Sequence, residues 1–457
     1  MHGDILLLSC YELGHAPAGI AWPAAFLRRA GFSPQVIDLA TCELDEAAVR
    51  EAQLVAISVP MHTALRLAVP VARRIRELNA AAHICFHGLY AQLNREWLLA
   101  NVADSCLGGE SEQALVALCE ALARGESAPM PAAPLLARPD YPIPDGSGLA
   151  GDYAELLDNG HSVQAGFAEA TRGCKYTCRH CPVTPVYNGR FFVVPVENVL
   201  QQVRKQVAGG ARHITFGDPD FLNGPRHALR VAEALHAEFP QLTFDITAKV
   251  EHLLDHADLL PQLAERGCLF IVTAVESLSD HVLEILDKGH TRSDVERALA
   301  ATRAAGIAMR PSLVAFTPWT TLDDYLELFE FAADNALVGA IEPVQSTIRL
   351  LLPPGSALHD HPEMAPHLRG LREEDFGHRW EHPDPYMDAL HHEVVAVAEE
   401  GGDDATLFHA LWSVARSAAG QPPPPMVVAT PGPRLSESWY CCAEPSPGLL
   451  KIGEPSA

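Results

Sequence analysis

The 457-residue sequence contains no apolar run approaching the roughly 18–20 uncharged residues that cross a membrane. Its opening, MHGDILLLSC, lacks a basic region and has only a four-residue apolar run, so it does not read as a secretory leader. The expected location is therefore cytoplasmic, with no membrane partner. Basic residues are scarce: 33 Lys and Arg stand against 58 Asp and Glu, for a net charge of −25. No segment concentrates them, which argues against nucleic acid as a partner. The 11 cysteines are odd in number and do not read as a disulfide framework. They are left as reduced thiols, or a subset binds metal.

What is present is a pattern of α/β units. In residues 1–125, DILLLS, PQVIDL, LVAISV, AHICFHG and DSCLGG read as strands, and AGIAWPAAFLRRAG and ALRLAVPVARRIRELNA as helices. This is the signature of a small doubly wound domain. Residues 126–160 are rich in Pro, Gly and Ser and read as a linker. A second series of strand–helix units fills 161–358, and six such units of about 30 residues suggest a partial (β/α)6 barrel. Residues 359–420 read as mostly helical, and 421–457 as an extended Pro-rich spacer and tail.

TRGCKYTCRHCP places Cys174, Cys178 and Cys181 at C-x3-C-x2-C directly after the first strand of the barrel series. Three soft thiolates on a short loop suit iron–sulfur ligation. Three is the informative number, because a [4Fe–4S] cluster then keeps one iron open for another ligand. Zinc is the alternative metal, but no further His follows at zinc-finger spacing beyond His180, inside the motif.

On these residues the chain resembles the radical S-adenosylmethionine (SAM) superfamily. The resemblance implies that the three cysteines hold a [4Fe–4S] cluster whose open iron takes the SAM amino and carboxylate groups, fed by a reducing electron donor. It places His180 against adenine. TFGDPDF, with Gly217, Asp218, Pro219 and Asp220, stands where the family has a glycine-rich turn for the SAM amino group, although one glycine is replaced. By the same resemblance Glu276 approaches the ribose, while Lys249 and Arg310 are candidates to pair with the SAM carboxylate. Taken singly, Glu276 reads equally as a helix-start carboxylate, and Lys249 and Arg310 as solvated charges.

The N-terminal domain ahead of the barrel resembles the layout of cobalamin-binding radical SAM proteins. Many of those carry Asp-x-His-x-x-Gly, whose histidine becomes the lower ligand of cobalt. That motif is absent; MHTALRL and FHGLYAQL supply His62 and His87 without the Asp or the matching Gly. The expectation is a retained fold with cobalamin unlikely. Base-off cobalamin without a histidine ligand is the second reading.

Near the end, WYCCAEP carries adjacent thiols, Cys441 and Cys442. Neighbouring cysteines do not readily close a disulfide with each other across a trans peptide. The segment resembles the tail of the CUAEP/CCAEP-tail radical SAM proteins. Members of that group in arsinothricin biosynthesis imply a reaction: transfer of the 3-amino-3-carboxypropyl group of SAM to trivalent arsenic. Cys441 and Cys442 would hold arsenite, the small-molecule substrate. The alternatives are a 5′-deoxyadenosyl radical acting on an organic or peptide substrate with the tail thiols as hydrogen donors, and a non-enzymatic iron–sulfur or metalloid-binding sensor.

Overall fold

The computed structural model describes residues 2–437, apart from 128, 129, 150, 152, 374, 428, 430 and 431. Five apolar runs form the first sheet: β1 (His2–Ser9), β2 (Ser33–Asp38), β3 (Leu54–Ser58), β4 (His83–His87) and β5 (Ser105–Leu107). All are parallel, in the order β2-β1-β3-β4-β5. Every residue of β3 is buried, as expected of a strand covered on both faces. Helices α1 (Ala18–Arg29), α2 (Glu46–Glu51), α3 (His62–Leu78), α4 (Leu89–Leu93), α5 (Arg95–Asn101) and α6 (Glu112–Ala123) supply the cover. In this strand order the connections diverge between β1 and β3. A crevice therefore opens at the carboxyl ends of those strands.

The second sheet has its parallel core in β7 (His161–Ala168), β10 (His213–Phe216), β11 (Thr243–Ala248), β12 (Cys268–Glu276) and β13 (Ala308–Leu313). A short antiparallel pair, β8 (Thr171–Gly173) and β9 (Phe191–Val193), flanks the cysteine loop. β6 (Glu155–Asp158) adds antiparallel to β7. The expected sixth barrel strand does not form as a ladder. Pro343 opens a 3-10 turn over Pro343–Thr347, and only Arg349 then bridges to Phe316. Proline cannot donate to a ladder, so the barrel stays partial. Between Leu358 and Ala419 a hairpin, β14 (Leu368–Arg372) and β15 (Gly377–Trp380), precedes helices Pro385–Glu399 and Asp404–Ala418. Beyond the prolines, β16 (Arg434–Leu435) returns to pair with β6. No helix among the described residues is long and apolar enough to cross a membrane.

The two domains share their cores. Trp22 and Phe26 of α1 sit in the same apolar cluster as Val199, Phe216 and Leu222 of the barrel unit. Tyr11, Met61 and Ala64 join Val282, Leu350 and Trp380. A buried side chain such as Phe26 contributes roughly 1.5–3 kcal/mol of apolar burial. The linker is anchored as well: the Glu110 amide donates to the Leu135 carbonyl at 2.7 Å, and Tyr141 is buried.

One ion network stitches the seam. Arg172 of β8 reaches Glu112 (2.5 Å), Glu110 (3.2 Å) and Glu169 (3.3 Å), with its guanidinium 4.8 Å from the Trp22 ring centroid. The Trp22 indole donates to Glu169 at 2.6 Å, and the Tyr187 and Tyr141 hydroxyls donate to Glu110. Burial pushes the Glu110 carboxyl up while Arg172 pulls it down, and the upward push wins. Three carboxylates around one guanidinium leave the seam dependent on that single cation.

Candidate active site

The carboxyl ends of both sheets face one cavity of about 390 Å³. Cys174, Cys178 and Cys181 line it from the loop after β8. That loop is held from several sides. The Lys175 amide donates to the Asn223 side chain (3.0 Å), whose amide group donates back to the Gly173 carbonyl (3.1 Å). The Thr184 hydroxyl donates to the Cys178 carbonyl, and the Arg179 amide to the Leu286 carbonyl, both at 3.0 Å. Among the described residues no three His, Cys, Asp or Glu side chains converge as they would on a single ion. Three thiols on one short loop fit a cluster, which takes one thiolate per iron.

Gly217, at the end of β10, also lines the cavity, and a Cβ there would lie 1.9 Å from the Phe167 ring. The close approach of that ring requires glycine. Pro219 lines the cavity beside it. Asp218 and Asp220 do not. Asp218 is fully buried and accepts from the Ala170 amide (2.9 Å) and the Thr171 hydroxyl (2.5 Å). Burial pushes its carboxyl up to about 7. Asp220 accepts from the amides of Leu222 and Lys249 and pairs with His252 at 2.7 Å. Both aspartates brace the turns that carry the lining residues.

Glu276 ends β12 at φ +65°, a left-handed conformation that non-glycine residues rarely adopt. Buried, it meets the Lys288 ammonium at 3.0 Å and His180 Nε2 at 3.5 Å, and all three line the cavity. Burial pushes the Glu276 carboxyl up, but Lys288 and His180 outweigh it and hold the group well below the usual carboxylate range. Lys249 lines the cavity with its ammonium 3.5 Å from the Tyr176 ring centroid and 3.2 Å from Glu251. Arg310 is not among the lining residues. It pairs with Glu342 at 3.0 Å, in the segment that replaces the sixth strand. Cys441 and Cys442 lie outside the described residues.

The N-terminal wall was less visible to sequence reasoning. Glu12, on the loop after β1, lines the cavity with both carboxylate oxygens on the Gly19 amide (3.1 and 3.2 Å), and the Ser58 hydroxyl donates to it at 3.4 Å. Burial pushes the Glu12 carboxyl up to about 8 against the pull of the Gly19 N–H. His87 and Glu112 line the same wall, whereas His62 does not and is engaged by the Asp375 carbonyl at 2.5 Å. Among the described residues, His87 Nε2 and Glu112 Oε2 have no hydrogen-bond partner, and both atoms are closed to water.

The two domains that build this cavity each match a known family. Residues 169–332 match the radical SAM superfamily and residues 5–119 the B12 binding domain. The chain is 26% identical over 182 residues to the ribosomal protein uS12 methylthiotransferase RimO of Porphyromonas gingivalis, covering 37% of this chain and 41% of that protein. It is 29% identical over 175 residues to the tRNA-2-methylthio-N(6)-dimethylallyladenosine synthase of Desulfosudis oleivorans, covering 36% and 37%. The chain thus spans about two fifths of the length of the curated relatives it matches. In fold it is similar to the radical SAM methyltransferase TsrM from Kitasatospora setae with cobalamin and a [4Fe–4S] cluster (TM-score 0.59, 17% identity, 75% and 72% covered). It is also similar to the cobalamin-dependent radical SAM enzyme OxsB with aqua-cobalamin bound (TM-score 0.65, 13% identity, 91% and 71% covered).

The expectation that cobalamin is unlikely is overturned by the B12 binding domain match over residues 5–119. The absent Asp-x-His-x-x-Gly bears on one cobalt ligand only. The crevice itself is made by strand ends and by small residues such as Ser58, Gly88 and Gly109, with a mostly apolar lining. A broad, mostly apolar face with a few polar side chains at its edge fits a large, flat ligand.

Proposed function

We propose that this chain is a cobalamin-using radical SAM transferase, with group transfer inside the cavity between its domains. The observation that carries the reading is that one cavity is lined both by the three cysteines and by the strand ends of the B12-binding domain. A bound cluster would supply the electron that cleaves a C–S bond of SAM, and a bound corrinoid would offer a second carrier for the transferred group. The protein's own part is positional. Cys174, Cys178 and Cys181 would hold the metal, and Gly217 admits the Phe167 ring that lines the cavity. Lys249 presents a buried ammonium toward the SAM carboxylate, and Glu276, fixed by Lys288, presents a carboxylate toward the ribose hydroxyls.

The transferred group on this reading is 3-amino-3-carboxypropyl and its acceptor is trivalent arsenic held by Cys441 and Cys442. Support comes from the tail sequence and from the contacts of Glu437, four residues before Cys441. Glu437 accepts from the Tyr11 hydroxyl at 2.6 Å and packs against Gly14. Leu13 and His15, on either side of Gly14, line the cavity. Four further residues lead to Cys441, a reach of at most about 14 Å.

Anaerobic reconstitution with iron, sulfide and cobalamin, followed by SAM and reductant with and without arsenite, tests both levels. Arsenite-dependent methylthioadenosine is the expected product. S-adenosylhomocysteine would replace the transferred group by methyl. 5′-Deoxyadenosine without arsenic dependence would favour hydrogen abstraction from an organic or peptide substrate.

A further inference from the structure

The basic side chains of this acidic chain are almost all engaged by the protein itself. Among the described residues each Lys and Arg pairs with a carboxylate or donates to a backbone carbonyl, as Arg29, Arg204 and Arg95 do, except Arg73 and one group. The group is Arg138, Lys175, Arg190, Arg226 and Arg230, all exposed and too scattered along the sequence to read as a basic run.

The fold gathers them around the cysteine loop. Lys175 lies between Cys174 and Cys178. Arg190 follows the turn that packs on it: a Cβ on Gly189 would lie 3.5 Å from the Lys175 carbonyl oxygen, and one on Gly173 would lie 2.5 Å from that of Arg190. The helix Pro225–Glu238 begins beside both, where the Lys175 amide donates to Asn223 and Gly224 meets the Phe191 ring. Arg226 and Arg230 share one face of that helix. Burial holds the His227 ring below its ordinary value, and the charges of Arg230 and Arg138 add to the effect, which puts Arg138 in the same neighbourhood. Of the acids whose charge reaches Tyr176 on the loop, Glu251 pairs with Lys249 and Asp220 with His252, which leaves Asp255 against these cations.

None of the group lines the cavity, whereas the three cysteines do. Lys175 and Thr177, each one residue from a cysteine, are exposed, so the loop shows one side to the cavity and another to solvent. Electron transfer falls steeply with distance, so a donor must dock where this loop nears the surface. Charge then selects the donor. With a net charge of −25 the chain repels an acidic protein over most of its surface, and this face reverses the sign. An RNA is drawn to cations too, but a base to be modified has to enter the cavity, which none of them lines.

We infer that Arg138, Lys175, Arg190, Arg226 and Arg230 form the docking face for a small acidic one-electron carrier protein. This rests on the cluster reading above and adds the partner that reduces the bound cluster. One electron leaves the carrier and is taken up behind the loop from Cys174 to Cys178.

The test follows reduction of the anaerobically reconstituted full-length chain by stopped flow, through the bleaching of its cluster absorbance. Reduced flavodoxin serves as the acidic carrier and dithionite as the small reductant. Arg190→Glu/Arg226→Glu/Arg230→Glu reverses the face. Arg50→Glu/Arg73→Glu/Arg74→Glu makes the same change of net charge on α2 and α3, and both variants are checked for wild-type iron content and thermal midpoint. At low ionic strength flavodoxin should reduce the first variant at least about 10-fold more slowly than wild type, and the second within about 2-fold of it. Added salt should slow wild type toward the first variant, and calorimetry should rank the binding of oxidised flavodoxin in the same order. Dithionite should reduce all three alike. Equal flavodoxin rates in wild type and both variants overturn this inference and leave the cluster reading intact. So does RNA binding by wild type that the first variant loses while its flavodoxin rate holds. A wild-type chain that takes up no cluster overturns that reading and this inference with it.

Discussion

The two walls of the cavity are built on opposite plans. On the barrel wall the charges are matched within the protein: Glu276 has Lys288 and His180, and Lys249 has Glu251 and the Tyr176 ring. On the N-terminal wall burial sets the charge: Glu12 is raised to about 8 and His87 lowered to about 4. On the proposed reading, matched charges keep their shape beside a charged cosubstrate, whereas a near-neutral wall favours an uncharged ligand.

The largest effect that would sharpen this contrast comes from the cysteines. Replacing Cys174, Cys178 or Cys181 by Ala should abolish both iron incorporation and SAM cleavage, while cobalamin binding survives. Iron analysis, product chromatography and dialysis read the three quantities separately, and a loss of cobalamin binding as well would break the picture of two independent walls.

Next in size is the seam. Arg172→Met leaves Glu110, Glu112 and Glu169 facing one another, and should cost about 3–5 kcal/mol in denaturant unfolding. Glu276→Gln strands the buried Lys288 ammonium and should cost about 3 kcal/mol at neutral pH. Because the folded Glu276 carboxyl is held below its unfolded value, the wild-type advantage is present above the ordinary carboxylate pKa, near 4.3, and disappears as pH falls through the lower folded value. Stability curves of the two proteins should therefore converge in acid.

The smallest effect has the opposite sign. Glu12 is raised in the folded state, so between its unfolded value and about 8 the folded chain binds the extra proton and stability declines as pH rises. Glu12→Gln should remove that slope and stabilise the protein by about 1–2 kcal/mol at pH 9, allowing for partial exposure. A flat wild-type profile from pH 5 to 9 would remove Glu12 from the contrast.

The elements that were legible in the sequence are those whose signal is local. The five strands of the first domain are continuous apolar runs because both their faces are covered. The cysteine loop declares itself by spacing. Lys288 was not legible, since its pairing with Glu276 depends on a left-handed kink that places the two side chains together. Arg310 read as a SAM partner until the fold supplied Glu342 from a segment where Pro343 breaks the expected strand. Asp218 and Asp220 read as ligands by position, but their buried hydrogen bonds make them supports for the turn. The absent Asp-x-His-x-x-Gly concerns one cobalt ligand, whereas the B12 binding domain match spans the whole five-stranded unit.

The Glu12–Gly19 contact has a consequence for ligand choice. In doubly wound folds of this strand order, the start of the first helix beside the β1–β3 switch point is where a phosphate ordinarily settles on free backbone N–H groups. Here the chain's own carboxyl already sits there, and the absent Cβ of Gly19 is what lets it approach: an added one would lie 2.4 Å from the Glu12 oxygen. The domain carries its own plug against flavin-type and nucleotide phosphates at that point, so what enters must be recognised elsewhere along the strand ends.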